Sequence, residues 1–197
     1  DYARVVKDAC EAGINIIVSG AGLPTNLPEF TQNFKEIALV PIVSSAKALK
    51  IICKRWLQRY ERLPDAVVLE GPLSGGHQGF TYEQCLDPEF SLFNLIPQVK
   101  AEIKEWGDFP LIAAGGIWDK NDIEKAISLG ANGVQMGTRF IGTHECDADI
   151  GFKEVLLAAE EKDIELIKSP VGYPARGIRT NLINLVDKRM GPKIQCI

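Results

Sequence analysis

Short apolar runs alternate along this chain with segments of helical periodicity, and this rhythm decides which fold classes are open to it. Most of the runs are continuously apolar rather than alternating with polar residues, so we expect both faces of each strand to be buried. Strands of this kind are typical of a parallel sheet covered by helices. The predicted strands are residues 14–18, 38–43, 66–69, 111–114 and 133–136.

The segments after the strands begin with residues that commonly cap helices. Ser44 and Ser45 precede apolar residues at steps of three and four, which predicts a helix after the second strand. Asn94 is predicted to cap a later helix, with Pro97 in its first turn, where proline is tolerated. Asn121 is predicted to cap the helix that follows the fourth strand.

The spacing of the strands favours one fold. Successive strands begin 24, 28, 45 and 22 residues apart, and a (β/α)8 barrel of ~250 residues needs ~30 residues per unit. We therefore predict an α/β fold, a TIM barrel of which only the C-terminal five or so units are present, over residues 1–163. Three earlier units, on the order of 90 residues, are expected in a longer protein. Residues 164–197 break the rhythm and are predicted to form a partly extended peripheral segment.

Glycine clusters stand at the carboxyl ends of the strands, where α/β proteins place their ligands. Gly115 and Gly116 follow one strand, and Gly137 and Thr138 follow the next. Backbone without Cβ atoms lets N–H groups approach phosphate oxygens, and two such loops match the phosphate site after strands seven and eight of a TIM barrel. A structural explanation, in which these glycines only make tight turns, stays open.

Three polar side chains beside the clusters are candidates for chemistry. His77 lies among glycines just beyond a strand end, where an imidazole can accept a proton from carbon or hydrogen-bond an anionic substrate. Glu70 directly follows a buried strand and can bond a cofactor or a backbone group. Gln135 interrupts an apolar strand, and an inward amide needs partners such as a flavin ring edge supplies. A surface histidine, a solvated carboxylate and a backbone-satisfied glutamine are the structural alternatives.

Two further stretches carry weaker signals. Tyr173 and Arg176 are placed to reach over a barrel mouth. His144 stands beside Cys146 and several acidic residues, but nothing repeats at metal-ligand spacing, so a solvated helix start is favoured over a metal site. The motifs GxGxxG after a strand, GxxxxGK[ST], GxSxG and HExxH are absent, which removes the main support for a Rossmann domain, a P-loop, a serine hydrolase or a zincin.

Composition excludes several functional classes. Lys and Arg number 22 against 26 Asp and Glu, and the net charge of −4 offers no footprint for general nucleic-acid binding. The five cysteines are scattered and form no CxxC pair, which argues against a disulfide scaffold and a structural zinc site and favours the reducing cytoplasm. No apolar run approaches the ~20 residues of a membrane span, and the first residues lack the apolar region of a signal peptide.

From Gly13 to Phe140 the sequence resembles the C-terminal part of the nitronate monooxygenase family, formerly called 2-nitropropane dioxygenase. The motifs that carry the resemblance are SGAGLP, GGHQG after a strand, IAAGGI and GANGVQMGTRF. The flavin-dependent enoyl-acyl-carrier-protein reductases of bacterial fatty-acid synthesis share much of this pattern.

The resemblance implies a TIM barrel that carries one non-covalent FMN and oxidises alkyl nitronates or nitroalkanes with dioxygen. His77 occupies the place of the family's catalytic histidine, as base toward a neutral nitroalkane or as hydrogen-bonding partner of the nitronate anion. Family members often have Gln where this chain has Glu70. The residues that the resemblance places at the flavin are Glu70, Gly75, Gly115, Gly116, Gln135, Met136, Gly137 and Thr138.

Other functional hypotheses stay open beside this oxidase. An enoyl-thioester reductase would need NADH or NADPH. A catalytically silent barrel would serve a binding or structural role. Another phosphate-binding barrel, such as a nucleotide dehydrogenase, would need a cysteine nucleophile, for which Cys146 lies nearest to the phosphate loops. We expect small-molecule substrates and no metal, nucleic-acid or membrane partner, and a homodimer is left open.

Overall fold

The computed structural model describes residues 2–169 and 172–188. Its strands are β1 Ile16–Ser19, β2 Ala38–Val43, β3 Val67–Glu70, β4 Gly76–His77, β5 Leu111–Ala114, β6 Gly133–Gln135, β7 Ile164–Lys168 and β8 Pro174–Ile178. Its α-helices are α1 Tyr2–Glu11, α2 Leu27–Phe30, α3 Ala46–Tyr60, α4 Tyr82–Leu86, α5 Leu92–Lys104, α6 Lys120–Ser128, α7 Thr138–Ile141, α8 Ile150–Ala158 and α9 Asn181–Asp187. Two short 3-10 turns span Pro88–Phe90 and Glu161–Asp163.

Five strands form one parallel sheet in the order β1-β2-β3-β5-β6. The prediction of an α/β fold with a parallel sheet is therefore confirmed, and each predicted run contributes a strand. The first strand begins two residues later than expected, at Ile16 rather than residue 14. Because parallel strands all run in one direction, the loops that follow β3, β5 and β6 leave the sheet at the same edge.

Helices cover one face of this sheet. Trp56 of α3 and Ile96 of α5 are fully buried in one cluster with the strand residues Leu39, Leu69 and Leu111. The apolar period of α3 places its buried residues on one stripe, as the sequence predicts. Burial of this kind contributes about 25 cal/mol per Å² of apolar surface removed from water.

The opposite face of the sheet is less completely covered. Val40, Val68 and Ala114 are buried there in a cluster that contains strand residues only. At the edge strand β1, Ile16 and Val18 are 57% and 53% exposed. The expectation that both strand faces are buried thus holds for the central strands and is wrong for the edge strands β1 and β6.

The helix caps confirm one sequence prediction and correct two. Ser45 caps α3, and its Oγ accepts a hydrogen bond from the backbone N–H of Ala48. Asn94 does not cap α5, which begins earlier, and its side-chain amide instead donates to the carbonyl of Pro88. Pro97 consequently lies inside the helix rather than in its first turn.

The cap of α6 also differs from the prediction, since Asp119 takes the place expected for Asn121. The Asp119 carboxylate accepts from the backbone N–H groups of Asn121 and Asp122, at 2.8 and 3.1 Å. The Asp122 side chain accepts in return from the backbone N–H of Asp119, which completes a capping box. The Asp119 side chain thus satisfies two N–H groups at once, and Asn121 is one of the donors.

The C-terminal segment contains two extended strands. Strands β7 and β8 form an antiparallel hairpin, and β8 also pairs with the two-residue strand β4. The hairpin therefore joins the loop that contains His77. Pro170, Pro192 and Cys196 lie outside the described residues.

Helix α8 is apolar but exposed. Phe152 is 54% exposed and Leu157 is 69% exposed, and α8 has no buried residue in the described chain. Over residues 2–169 and 172–188, no helix combines the length and apolar character needed to cross a membrane.

Candidate functional site

Three glycine-rich loops meet at the carboxyl edge of the parallel sheet. The loop after β3 starts with Gly71, whose N–H donates to the carbonyl of Ala114 on the neighbouring strand at 2.9 Å. The loop then turns back, and the N–H of Ser74 donates to the carbonyl of Gly71 at 3.1 Å. These bonds place the loop against the turn that follows β5.

The turn after β5 requires glycine. Gly115 and Gly116 have φ angles of +88° and +86°, a region that side chains disfavour. A Cβ on Gly115 would lie 2.8 Å from the carbonyl oxygen of Gly71 and 3.0 Å from the nitrogen of Ser74. A Cβ on Gly116 would lie 2.9 Å from the Cβ of Leu73. The two loops are therefore packed in direct contact.

The turn after β6 is open by comparison. A Cβ on Gly137 would meet nothing within 4 Å, and its φ of −112° is accessible to other residues. Thr138 follows, and its Oγ1 would lie 3.8 Å from a Cβ on Gly75. The third loop thus faces the glycines that precede His77. Thr138 and Arg139 begin α7, so their N–H groups have no acceptor within that helix.

His77 stands at the outer end of this group of loops. Its side chain is exposed and lies on β4, which pairs with β8 in the register His77 with Ala175. The imidazole Nε2 lies 3.0 Å from the Oγ of Ser169, and the ring meets the edge of the Tyr173 ring with centroids 6.3 Å apart. The C-terminal hairpin therefore holds the histidine from one side.

A buried glutamine shapes the loop from the other side. Gln78 is 5% exposed, and its Nε2 donates to the carbonyls of Ser74 and Gly76 at 2.7 and 3.2 Å. The Ser74 hydroxyl donates to the Gln78 Oε1 at 3.3 Å. Sequence reasoning missed Gln78 and Ser169. A polar residue directly after a candidate histidine was a usable signal for the first, whereas no local signal marks the second.

Glu70 and Gln135 belong to one row at the mouth of the site. Both pair in register with Ala114, so all three residues point to the sheet face that α3 and α5 do not cover. Glu70 is half-buried, and removal of its carboxyl from water raises the pKa of that group above its ordinary value. Gln135 is exposed. Met136 differs from both, because its side chain packs against the helix-covered core and leaves only its backbone near the loops.

The structure also places Arg176 and the acidic stretch near His144, the two weaker candidates of the sequence analysis. The Arg176 Nε donates to the carbonyl of Pro72 at 3.1 Å, which ties the hairpin to the loop after β3. Asp149 caps α8 by accepting from the N–H of Gly151 at 2.8 Å, so the acidic stretch near His144 is a helix start as expected. In the described parts of the chain, no three His, Cys, Asp or Glu side chains are grouped so that they could hold a metal ion.

Known proteins provide an independent comparison. The family model described as nitronate monooxygenase matches residues 1–197. A protein of Bacillus subtilis (strain 168) named as a probable nitronate monooxygenase is 39% identical over 118 residues, which is 60% of this chain and 33% of that protein. One of Staphylococcus saprophyticus with the same name is 34% identical over 126 residues, or 63% of this chain and 34% of that protein.

Solved structures agree on the fold. FabK from Thermotoga maritima has a TM-score of 0.75 and 30% identity, covering 93% of this chain and 52% of that one. Nitroalkane oxidase from Streptomyces ansochromogenes has a TM-score of 0.69 over 96% of this chain and 51% of that one, and at 22% identity it shows the fold alone. The chain spans about half of these structures and about a third of the curated relatives. With a family model that matches from the first residue to the last, the chain belongs to the nitronate monooxygenase family, a family of oxidoreductases.

Proposed function

We propose that this chain takes part in the FMN-dependent oxidation of alkyl nitronates, with dioxygen as the final oxidant. The observation that carries the proposal is the meeting of the two glycine turns with the histidine loop at one edge of the sheet. A Cβ on Gly115 would touch the loop after β3, and a Cβ on Gly75 would lie 3.8 Å from the Thr138 hydroxyl. Membership of the nitronate monooxygenase family supports the same function.

The residues fit the phosphate end of FMN. A Cβ on Gly137 would meet no atom within 4 Å outside its two chain neighbours, and the hydroxyl of the adjacent Thr138 lies 3.8 Å from a Cβ built on Gly75. Backbone N–H groups of Gly115, Gly116 and Gly137 and the hydroxyl of Thr138 would hold the phosphate oxygens. The backbone of Met136, between β6 and Gly137, would extend this phosphate cradle, the site formed by the two glycine turns and Thr138.

The row of residues on the open sheet face fits the flavin ring and its ribityl chain. The Gln135 amide offers a donor and an acceptor, which the N–H and C=O groups of a flavin edge require. The Glu70 carboxyl is half-buried, which raises its pKa, and its oxygens would accept hydrogen bonds at the place where a family glutamine would stand. Gly75 leaves the space next to the Thr138 hydroxyl free of a side chain.

His77 would move the substrate proton. The chemistry that FMN supplies when bound is the acceptance of electrons from the substrate and their transfer to dioxygen. The imidazole of His77 would accept the α-proton of a neutral nitroalkane or hydrogen-bond the oxygens of a nitronate that is already ionised. The hairpin residues Ser169 and Tyr173 orient the ring.

We further propose that the five parallel strands are part of a (β/α)8 barrel. Helices cover one sheet face, while the cluster on the other face contains strand residues only, as an arc of a barrel wall requires. Exposure of Ile16 and Val18 on the edge strand is what an unclosed arc produces. A cytoplasmic location and a homodimeric state complete the proposal, and sedimentation of the purified protein tests the latter.

The test is anaerobic reduction of the purified protein by ethyl nitronate. We expect FMN to be recovered by mass spectrometry and its absorption band to bleach on addition of the nitronate and to return with oxygen. The His77→Ala variant is expected to lose at least about a hundredfold in kcat/KM with nitroethane, because base catalysis typically contributes this much. His144→Ala is the matched control and is expected to keep the activity. An intact protein without flavin would contradict the proposal.

The enoyl-acyl-carrier-protein reductase is the second candidate, and the TM-score of 0.75 with FabK gives it weak support. The two functions differ in their electron donor. Rapid flavin reduction by NADH, followed by turnover of a crotonyl thioester, would select the reductase. If neither ethyl nitronate nor NADH reduces the bound FMN, and His77→Ala changes no activity, a binding or structural role would be favoured.

A further inference from the structure

We infer that Ser169 is a positioning residue for His77: its hydroxyl oxygen accepts the Nε2–H of the imidazole and leaves Nδ1 as the nitrogen that takes the substrate proton. The two side chains lie 92 positions apart in the chain and meet with 3.0 Å between Nε2 and Oγ. The inference rests on the proposed function of His77 as a base.

The backbone around Ser169 aims its hydroxyl at the imidazole. Ser169 is 7% exposed. Its N–H donates to the carbonyl of Tyr173, and its carbonyl accepts from the N–H of Gly172, both at 2.9 Å. These two bonds fix the backbone position of Ser169 beside the imidazole.

The histidine loop is fixed to the same hairpin by its own backbone. Gly76 and His77 pair antiparallel with Arg176 and Ala175 of β8. The N–H of Gln78 donates to the carbonyl of Pro174 at 2.8 Å, which extends the pairing by one bond. The distance between the imidazole and the serine hydroxyl is therefore set by strand pairing rather than by a flexible loop.

The direction of the hydrogen bond follows from what a base requires. A neutral imidazole has one N–H and one lone pair, so the bond at Nε2 decides which nitrogen is basic. If the Ser169 hydroxyl donated to Nε2, Nδ1 would carry the hydrogen and neither nitrogen would be free to accept a proton. If the hydroxyl oxygen accepts from Nε2–H, the lone pair stays on Nδ1.

This arrangement also survives the proton transfer. The carbon–hydrogen bond of a neutral nitroalkane breaks, its electron pair stays on the substrate as the nitronate, and the proton forms a new N–H bond at Nδ1. Both nitrogens of the resulting imidazolium are donors, and Ser169 keeps accepting at Nε2. No hydrogen bond to the protein has to break during the step.

Two substrates separate positioning from a merely structural role. Nitroethane must lose a proton, whereas ethyl nitronate has already lost it. In Ser169→Ala we expect kcat/KM for nitroethane to fall about tenfold, the effect of one hydrogen bond, while kcat/KM for ethyl nitronate stays within about twofold. Ser169→Thr keeps the hydroxyl and is expected to restore the nitroethane value. An equal loss with both substrates, or no loss with either, would overturn the inference.

Nitrogen-15 NMR of the imidazole tests the hydrogen bond without reference to turnover. The chain has two histidines, so His144→Ala assigns the His77 signals. We expect the Nε2–H tautomer in the unchanged protein and a mixture of tautomers in Ser169→Ala. Finding the Nδ1–H tautomer in the unchanged protein would overturn the inference even if every variant failed to fold. Absence of nitronate activity together with the Nε2–H tautomer would refute the proposed function and the role of Nδ1 in it, while the hydrogen bond from Nε2–H to Ser169 would stand.

Discussion

The two glycine turns that follow β5 and β6 look alike in sequence and differ in structure. At Gly115 a Cβ would lie 2.8 Å from the Gly71 carbonyl oxygen, and the φ of +88° already disfavours any side chain. At Gly137 a Cβ would meet nothing within 4 Å, at a φ of −112° that other residues adopt. The fold itself explains the first glycine and does not explain the second.

A turn can contain glycine because packing requires it or because a ligand does, and this difference separates the two reasons. The turn after β5 needs glycine in order to pack against the loop that leads to His77, so it would contain glycine whether or not a ligand binds. The turn after β6 gains nothing in packing from its glycine. Packing therefore does not account for Gly137, and the predictions below test whether ligand binding does.

The largest effect is expected for Gly115→Ala. Positive φ costs about 1–2 kcal/mol for a residue with a side chain, and forcing a methyl group against the Gly71 carbonyl costs about 1–3 kcal/mol more. We expect the free energy of unfolding to fall by about 3 kcal/mol in urea titrations of the flavin-free protein. A variant as stable as the original protein would remove the contrast between the two turns.

The next effect separates binding from stability at Gly137. In Gly137→Ala we expect the free energy of unfolding to stay the same or rise by less than about 1 kcal/mol, because the backbone is accessible to alanine. FMN affinity is expected to fall at least about tenfold, since the new methyl group occupies the phosphate cradle. Fluorescence titration with FMN measures the second quantity. A stable variant that binds FMN normally would contradict the proposed site.

A smaller effect is expected for Thr138→Val, which removes one hydroxyl donor and keeps the shape of the side chain. The loss of a hydrogen bond to a charged phosphate is expected to weaken FMN binding by about tenfold or somewhat less. Thr138→Ser is the matched control and should bind FMN like the original protein. If Thr138→Val binds FMN as tightly as the original protein does, backbone groups alone hold the phosphate.

The smallest effect concerns stability at the open end of the site. Burial raises the pKa of Glu70 in the folded protein, so its ionisation destabilises the fold as pH rises through that value. In the flavin-free protein, Glu70→Gln is expected to be more stable at neutral pH by less than about 1 kcal/mol, after solvent screening. The gain should vanish below the ordinary carboxyl pKa of about 4.3.

Glu83→Gln is the control for this pH dependence. The backbone N–H of Glu83 and the Thr81 hydroxyl lower the pKa of the Glu83 carboxyl, so its replacement should change stability in the opposite direction. Urea titrations across the acid range compare the two variants. A Glu70→Gln effect that does not depend on pH would show that its carboxyl is not destabilised by burial.

The strands were predictable because each is a continuous apolar run between polar segments. Residues 38–43 and 111–114 match β2 and β5 residue for residue. The helix starts were harder, because several capping residues stand close together and local sequence does not rank them. Asp119 and Asn121 stand two residues apart at the start of α6, and the side chain that accepts from two N–H groups, that of Asp119, is the cap.

The candidate site was predicted from glycines, a histidine and two polar residues that stand at strand ends. Gly115, Gly137 and His77 follow strand ends, and strand order then determines that their loops are neighbours. The contact between His77 and Ser169 depends on the pairing of β4 with β8, which lie about half of the chain apart. Such long-range pairing leaves no periodic signal near either residue, which is why the hairpin was expected to be peripheral.

The most direct test of the central claim compares FMN with riboflavin, which lacks the phosphate. If the turns after β5 and β6 hold a phosphoryl group, the purified protein should bind FMN at least about tenfold more tightly than riboflavin. In Gly137→Ala that preference should disappear while the protein remains folded. Equal affinity for the two flavins in the unchanged protein, or a preference that survives in Gly137→Ala, would contradict the account.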